Sequence, residues 1–183
     1  MVRLPVRCVA QDTIAIDSMP GKVIMPQQYA RRLFRSSFTG VLSIAAASLN
    51  DQWDCCCCAS LVTATSLMHW YHPQFGLRRA LDLVAVWASA TYQLTIVCPR
   101  APSDARMAYY ASVGVGAACY AAARRCNYTL KNLDASTRWH VGLHAAGNAG
   151  NMLLYDAVGL NLLGWLDDPE RTRAARRRQT TEN

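Results

Sequence analysis

Charged residues are segregated along this chain. They gather in the two ends and in the short connections, while the long middle stretches are nearly free of them. Only 17% of the residues are charged, below the roughly 25% that is usual in soluble domains. Segregation of this kind is typical of chains whose apolar segments cross a membrane. The sequence therefore predicts an all-α integral membrane helical bundle.

Four apolar segments are candidates for membrane spans. The first covers 53–72 and is bracketed by Trp53 and Trp70, as interfacial tryptophans bracket a span. The others run over 80–98, 106–123 and 136–163, with a Ser136-Thr137 cap expected at the start of the last. Residues 27–49 are apolar only in their second half, which is shorter than the ~20 residues a span needs. That region is expected to be an amphipathic interfacial helix or a fifth span.

The whole chain, 1–183, is expected to be one membrane domain, because no long soluble segment interrupts it. An irregular arm over 1–26 precedes the helix at 27–49, a four-helix membrane bundle follows over 53–165, and 166–183 form a polar, Arg-rich tail. With four spans both termini share one side, which holds most of the basic residues. The positive-inside rule puts that side in the cytoplasm or an organellar matrix.

Arginine supplies most of the net charge of +7, and it occurs in clusters beside the apolar segments. One interpretation is binding to anionic lipid headgroups, which makes bound phospholipid or cardiolipin the expected ligand. The other is topology-setting charge with no specific partner. Nucleic acid is not expected, because no basic stripe is interleaved with aromatic residues. The candidate headgroup residues are Arg31, Arg32, Arg35, Arg78, Arg79, Arg124 and Arg125.

Small residues recur at intervals of four in the last two segments. This pattern lets membrane helices approach closely. The residues expected to form packing faces are Ser112 and Gly116 in the third segment and Gly142, Ala146 and Gly150 in the fourth.

The fourth segment also carries a polar stripe. His140, His144, Asn148, Asn151 and Tyr155 follow at intervals of three and four, so they share one helix face. Two histidines at i and i+4 can bind one metal ion from a single face. All four histidines of the chain lie near span ends, and the candidate metal ligands are His69, His72, His140 and His144. Alternatively, the histidines simply lie at headgroup depth beside tryptophans.

The order of these residues resembles the CREST membrane hydrolases, which include alkaline ceramidases and progestin/adiponectin receptors. The resemblance rests on Ser66 and a following histidine on one span, Asp82 at the start of the next, and His140-x-x-x-His144 on the last. It implies a zinc site with three histidine ligands and a nearby serine and aspartate. His140 and His144 would be two ligands, the third stays open between His69 and His72, and Ser66 and Asp82 would be catalytic.

Two functions from different classes follow. The first is a non-catalytic accessory subunit of a multi-subunit organellar membrane complex, above all the mitochondrial inner-membrane respiratory chain or ATP synthase. It would act in assembly, packing and lipid contact, with other membrane subunits and anionic lipids as partners. The small size, the packing faces and the basic start of the chain, which has no acid before Asp12, motivate it. The alternative is a zinc-dependent membrane hydrolase of lipid amides or esters.

Overall fold

The computed structural model describes residues 22–159, which are helical apart from short connections. No strand occurs within that range, and an isolated bridge joins Val23 to Gln74. The predicted all-α class is therefore confirmed. The helices are α1 Gln27–Ser37, α2 Gly40–Leu49, α3 Trp53–Tyr71, α4 Leu77–Tyr92, α5 Ser103–Tyr128 and α6 Leu133–Val158. A short π-helix, Gln93–Val97, and a 3-10 turn, Cys98–Arg100, extend α4.

Helices α1 and α2 form one rod with a tight turn in its middle. Phe38 and Thr39, which join them, keep right-handed helical backbone angles. Their N–H groups donate to carbonyls three residues back, as in a 3-10 turn. From residue 27 to residue 49 the rod is roughly 34 Å long, enough to cross a hydrocarbon core of roughly 30 Å. It also packs between α3 and α6, so the structure favours a fifth rod over a surface helix.

At one end of the bundle lie the start of α1, the end of α3 and the start of α6. Ile24 donates its N–H to the Pro73 carbonyl at 2.8 Å. Arg32 of α1 forms a salt bridge with Asp134 of α6. The short connection over 129–132 brings the end of α5 here as well. We call this the Lys22 end.

The opposite end, which we call the Gly159 end, holds the end of α2, the start of α3 and the end of the α4 rod. The Tyr92 hydroxyl donates to the Asp54 carboxylate, and Gly159 packs directly against Asn50. The five rods therefore alternate in direction, and residues 22 and 159 lie at opposite ends. The two termini, for which a shared side is predicted, lie outside the described residues.

One described helix is long and apolar enough to cross a membrane by itself on length and composition. It runs over Leu77–Arg100, and its most apolar 18 residues have a mean hydropathy of 1.4. Only 33% of those 18 residues are buried inside the described chain. The other segments expected to span form helices close to their predicted positions. Four or five membrane crossings therefore stay a prediction, while the helices themselves are present.

The start of α6 differs from the prediction. Asn132 caps it, and its side-chain oxygen accepts a hydrogen bond from the Ala135 N–H at 3.0 Å. Ser136 and Thr137, the predicted cap, are buried inside the helix, where the Thr137 hydroxyl donates to the Leu133 carbonyl at 2.7 Å. A nearby asparagine thus begins the helix one turn earlier. The helix ends at Val158, before the predicted end at 163, and Gly159 after it has extended backbone angles. The polar tail lies outside the described residues.

Close approach of α5 and α6 depends on small residues at their interface. A Cβ atom added to Gly150 would lie 2.7 Å from the Ser112 Cβ, too close for a side chain there. A Cβ at Gly142 would lie 3.2 Å from the Cys119 sulfur, and one at Gly116 3.3 Å from Leu143. Three glycines of the expected packing faces therefore lie at a helix–helix contact.

Replacing Gly150 by Ala is expected to destabilise the bundle by about 1–3 kcal/mol, because the new methyl group overlaps Ser112. The matched control is Gly147→Ala on the same helix, where an added Cβ meets open space. That control is expected to leave the thermal midpoint in mild detergent unchanged or slightly raised. Equal losses in the two variants would contradict close packing at Gly150.

Candidate functional site

The polar stripe of α6 contacts the rod formed by α1 and α2. Ser36 Oγ lies 2.8 Å from His144 Nδ1. Ser43 donates to Asn148 Oδ1 at 2.6 Å, and the Asn148 amide donates in turn to Thr39 Oγ1 at 2.8 Å. Both ends of the Asn148 side chain are therefore used to join the two rods.

A second polar junction lies deeper, toward the Gly159 end. Gln93, the first residue of the π-helix, donates from its side-chain amide to the Tyr155 hydroxyl at 2.8 Å. Tyr109 of α5 donates its hydroxyl to Gln93 Oε1. All three side chains are buried. This junction joins α4, α5 and α6, and it explains why Tyr155 belongs to the stripe.

Three of the four histidines lie near one another. The rings of His140 and His144 are in edge contact with centroids 5.1 Å apart. The Trp70 ring contacts both His140, at 5.2 Å, and its own neighbour His69, at 4.5 Å. His69 is only 3% exposed, and its Nδ1 has no hydrogen-bond partner. His72 lies outside this group, because it is exposed after the end of α3, against Tyr71.

The two candidate catalytic residues contact each other. The Ser66 hydroxyl on α3 donates to Asp82 Oδ1 on α4. Ser66 is buried and Asp82 is partly buried. Asp82 thus has a hydrogen-bond partner on the neighbouring helix, and within residues 22–159 it forms no ion pair with Arg78 or Arg79.

The expected zinc ligands do not assemble into a metal centre. In the part of the chain that the structure describes, no group of three or more His, Cys, Asp or Glu side chains is placed to hold a metal ion. A structural zinc site needs four ligands and a catalytic one three. The residues as arranged therefore do not fit zinc. His140 does lie beside His144, and Ser66 beside Asp82, as the resemblance implies.

The candidate headgroup arginines lie together at the Lys22 end. With only four spans, 31–35 would lie on the side opposite to 78–79 and 124–125. Because 27–49 form a fifth rod, all three clusters share one end. Arg79 stacks over the Phe75 ring at 4.6 Å, and Arg124 over the Tyr128 ring at 5.1 Å. The Asp134 carboxyl accepts a hydrogen bond from Arg32, and this bond holds the pKa of Asp134 below its usual value. Arg138 also pairs with Asp134, at 2.9 Å.

Comparison with protein-family models, with curated proteins and with solved structures gives no match. The residues are therefore interpreted from their own contacts. In those contacts, most polar side chains that the sequence offered for chemistry join one helix to another. His69 and His72 are exceptions, because the buried His69 Nδ1 has no partner among the described residues and His72 is exposed.

Several joining residues were missed at the sequence level. Ser43 and Thr39 belong to a segment that appeared simply apolar, and Tyr109 was not singled out. Gln93 gave the only usable signal, since it is an amide within an apolar run and shares a face with Asp82. Uncharged polar residues inside such runs are the ones that bond across helices in membranes.

The Asn148→Ala variant is expected to lose about 1–2 kcal/mol of stability, because it removes the bonds that Asn148 makes to Ser43 and Thr39. The control is Asn151→Ala, since Asn151 makes a single, longer bond of 3.4 Å to Ser43. Thermal unfolding in mild detergent measures both, and the control should lose clearly less. If Asn148→Ala unfolds at the wild-type temperature, the network does not hold α1 and α2 to α6.

Proposed function

We propose that this chain is a non-catalytic helical subunit embedded in a membrane, where it packs against lipid and against other subunits of a larger complex. One observation carries the proposal: large apolar side chains cover the outside of the bundle, while polar side chains join its helices on the inside, beside apolar clusters.

Polar side chains lie in the interior next to the apolar clusters. Seryl and threonyl hydroxyls, amides and imidazoles lie between the rods. Because groups buried in hydrocarbon have no water to bond, they must find partners on neighbouring helices. Ser43, Ser66 and Gln93 bond to neighbouring helices, and Ser37 and Thr65 donate to carbonyls of their own helices. The buried polar residues include Ser37, Ser43, Thr63, Thr65, Ser66, His69, Ser89 and Gln93.

The exterior is apolar to an unusual degree. Trp87 is 69% exposed, Val84 65% and Val115 55%, all in the middle of their helices. Monomers in water rarely expose large continuous apolar patches. In a bilayer the same surface contacts acyl chains and needs no cover. Further exposed apolar side chains along the rods are Leu42, Leu61, Leu83, Ile96 and Leu153.

Each rod contains a long stretch without Asp, Glu, Lys or Arg. These stretches are 36–50, 55–77, 83–99, 107–123 and 139–155. Charges are found only beyond them, and Asp82, which adjoins the third stretch, is hydrogen-bonded to Ser66. Four stretches hold 17 to 23 residues, close to the ~20 that a span needs, whereas 36–50 holds 15 and reaches that length only with the flanking turns of its rod. The positions of the charges therefore support five crossings.

A role as a subunit is supported by the outer face of α4. Leu83, Val84, Trp87 and Ala88 belong to the lining of an open groove of about 690 Å³, with Thr91, Tyr92, Thr95 and Ile96 completing it. The groove is almost wholly apolar and has no charged residue. A helix of a neighbouring subunit, or lipid, would fill it. The mitochondrial inner membrane remains part of the proposal on the strength of the basic N-terminal residues, which lie outside the described range.

Tryptophan quenching in a bilayer tests the embedding. Trp87 is exposed at mid-rod, so lipids brominated deep in the acyl chain are expected to quench it. Replacing Trp87 by Phe should therefore remove a large share of the quenched fluorescence. The matched control is Trp70→Phe, because Trp70 is only 6% exposed. Quenching that is unaffected by Trp87→Phe would contradict a lipid-facing α4.

The hydrolase alternative is distinguished by metal content. Ser66 contacts Asp82 and His140 contacts His144, but in the described part of the chain these residues do not form a metal-holding group. We expect purified protein to hold far less than one zinc per chain by elemental analysis. One zinc per chain that is lost in His144→Ala would favour the hydrolase instead.

A further inference from the structure

Charge is unevenly divided between the two ends of the bundle. Within residues 22–159 the Gly159 end carries more acids than bases: Asp51, Asp54, Asp104 and Asp156 against Arg100 and Arg106. The Lys22 end carries Asp134 as its surface acid and most of the bases. Those bases are Lys22, Arg31, Arg32, Arg35, Arg78, Arg79, Arg124, Arg125, Lys131 and Arg138.

The positive charge at the Lys22 end is not neutralised inside the described chain. Asp134 is shared by Arg32 and Arg138. The next acid is Asp82, about one helical turn after Arg78 and Arg79, and it accepts a hydrogen bond from Ser66. Arg31 and Arg35 are exposed and form no ion pair within residues 22–159. An excess of unpaired guanidinium groups therefore faces outward at this end.

The unpaired arginines continue into the apolar surface. Arg31, Arg35, Phe38 and Leu42 follow at intervals of four, three and four, so they share one side of the rod. Phe38 is 51% exposed and Leu42 53%. A surface that passes from guanidinium to aromatic to aliphatic matches the passage from headgroup to acyl chain in a phospholipid leaflet.

We propose that the Lys22 end docks into a leaflet rich in anionic phospholipid, and that this contact sets the orientation of the bundle. The inference rests on the proposed membrane embedding. Guanidinium groups bind phosphate oxygens with two parallel hydrogen bonds, which suits them to lipid phosphates. The positive-inside rule then puts the Lys22 end on the cytoplasmic or matrix side.

The residues beyond 159 do not cancel this asymmetry. They contribute arginines over 171–178, but Asp167, Asp168, Glu170 and Glu182 accompany them. Their net charge is therefore close to zero. The excess of positive charge stays with the Lys22 end.

The test compares thermal unfolding of the full chain in phosphatidylcholine nanodiscs with and without phosphatidylglycerol. Phosphatidylglycerol is expected to raise the midpoint of the wild type. Arg31→Gln/Arg35→Gln should lose most of that rise, and Arg78→Gln on α4 should lose part of it. The matched control, Arg100→Gln/Arg106→Gln, removes the same charge from the Gly159 end and should keep the rise.

The possible outcomes separate the claims. Equal loss in the two double variants, or no effect of phosphatidylglycerol on the wild type, overturns docking at the Lys22 end. Inorganic phosphate added to pure phosphatidylcholine nanodiscs should give no rise, and an equal rise there would replace the leaflet by a free anion. A chain that does not enter nanodiscs at all overturns the proposed embedding and, with it, this inference.

Discussion

The polar contact between α6 and the rod of α1 and α2 is the interaction on which the rest of the bundle depends. Asn148 bonds to both Ser43 and Thr39, and Ser36 bonds to His144 one turn away. Because these groups are paired, α6 buries a polar face without leaving donors and acceptors unsatisfied. The opposite side of α6 is then free to pack through glycines against α5. The last helix is thus the central packing element.

Whether this polar contact stabilises the bundle depends on what surrounds it. In water, burial of apolar side chains drives folding and polar groups remain outside. Here the hydroxyls and amides join helices, and side chains such as Trp87 and Val115 face outward. That arrangement is favourable when the surroundings are themselves apolar, since unpaired polar groups are then the costly ones. The polar contacts between helices and the exposed apolar side chains both fit the proposed apolar surroundings.

Much of the fold could be predicted from the sequence. Trp53 and Pro73 bracket α3 closely, because an interfacial aromatic and a helix-breaking proline are local signals. The shared polar face of α6 follows from spacing alone. The rod over 27–49 was harder, because its first half is basic and only its packing between α3 and α6 reveals that it belongs to the bundle.

The candidate site could be predicted only in part. Histidines at i and i+4 were found by spacing, but which groups meet them depends on how rods pack, and that is not a local property. Ser36 at His144 and Gln93 at Tyr155 are contacts between residues far apart in sequence. They turn a stripe that suggested metal chemistry into a set of helix–helix bonds.

Labelling with a membrane-soluble diazirine tests most directly whether the apolar side chains face lipid while the polar contacts lie between helices. The reconstituted full chain is photolabelled from within the bilayer, and the labelled residues are mapped by mass spectrometry. The account predicts label on the outward apolar side chains, such as Val84, Trp87 and Val115, and none at Asn148 or Gln93. Label absent from those outer faces, with a water-soluble carbene probe reacting there instead, would contradict it.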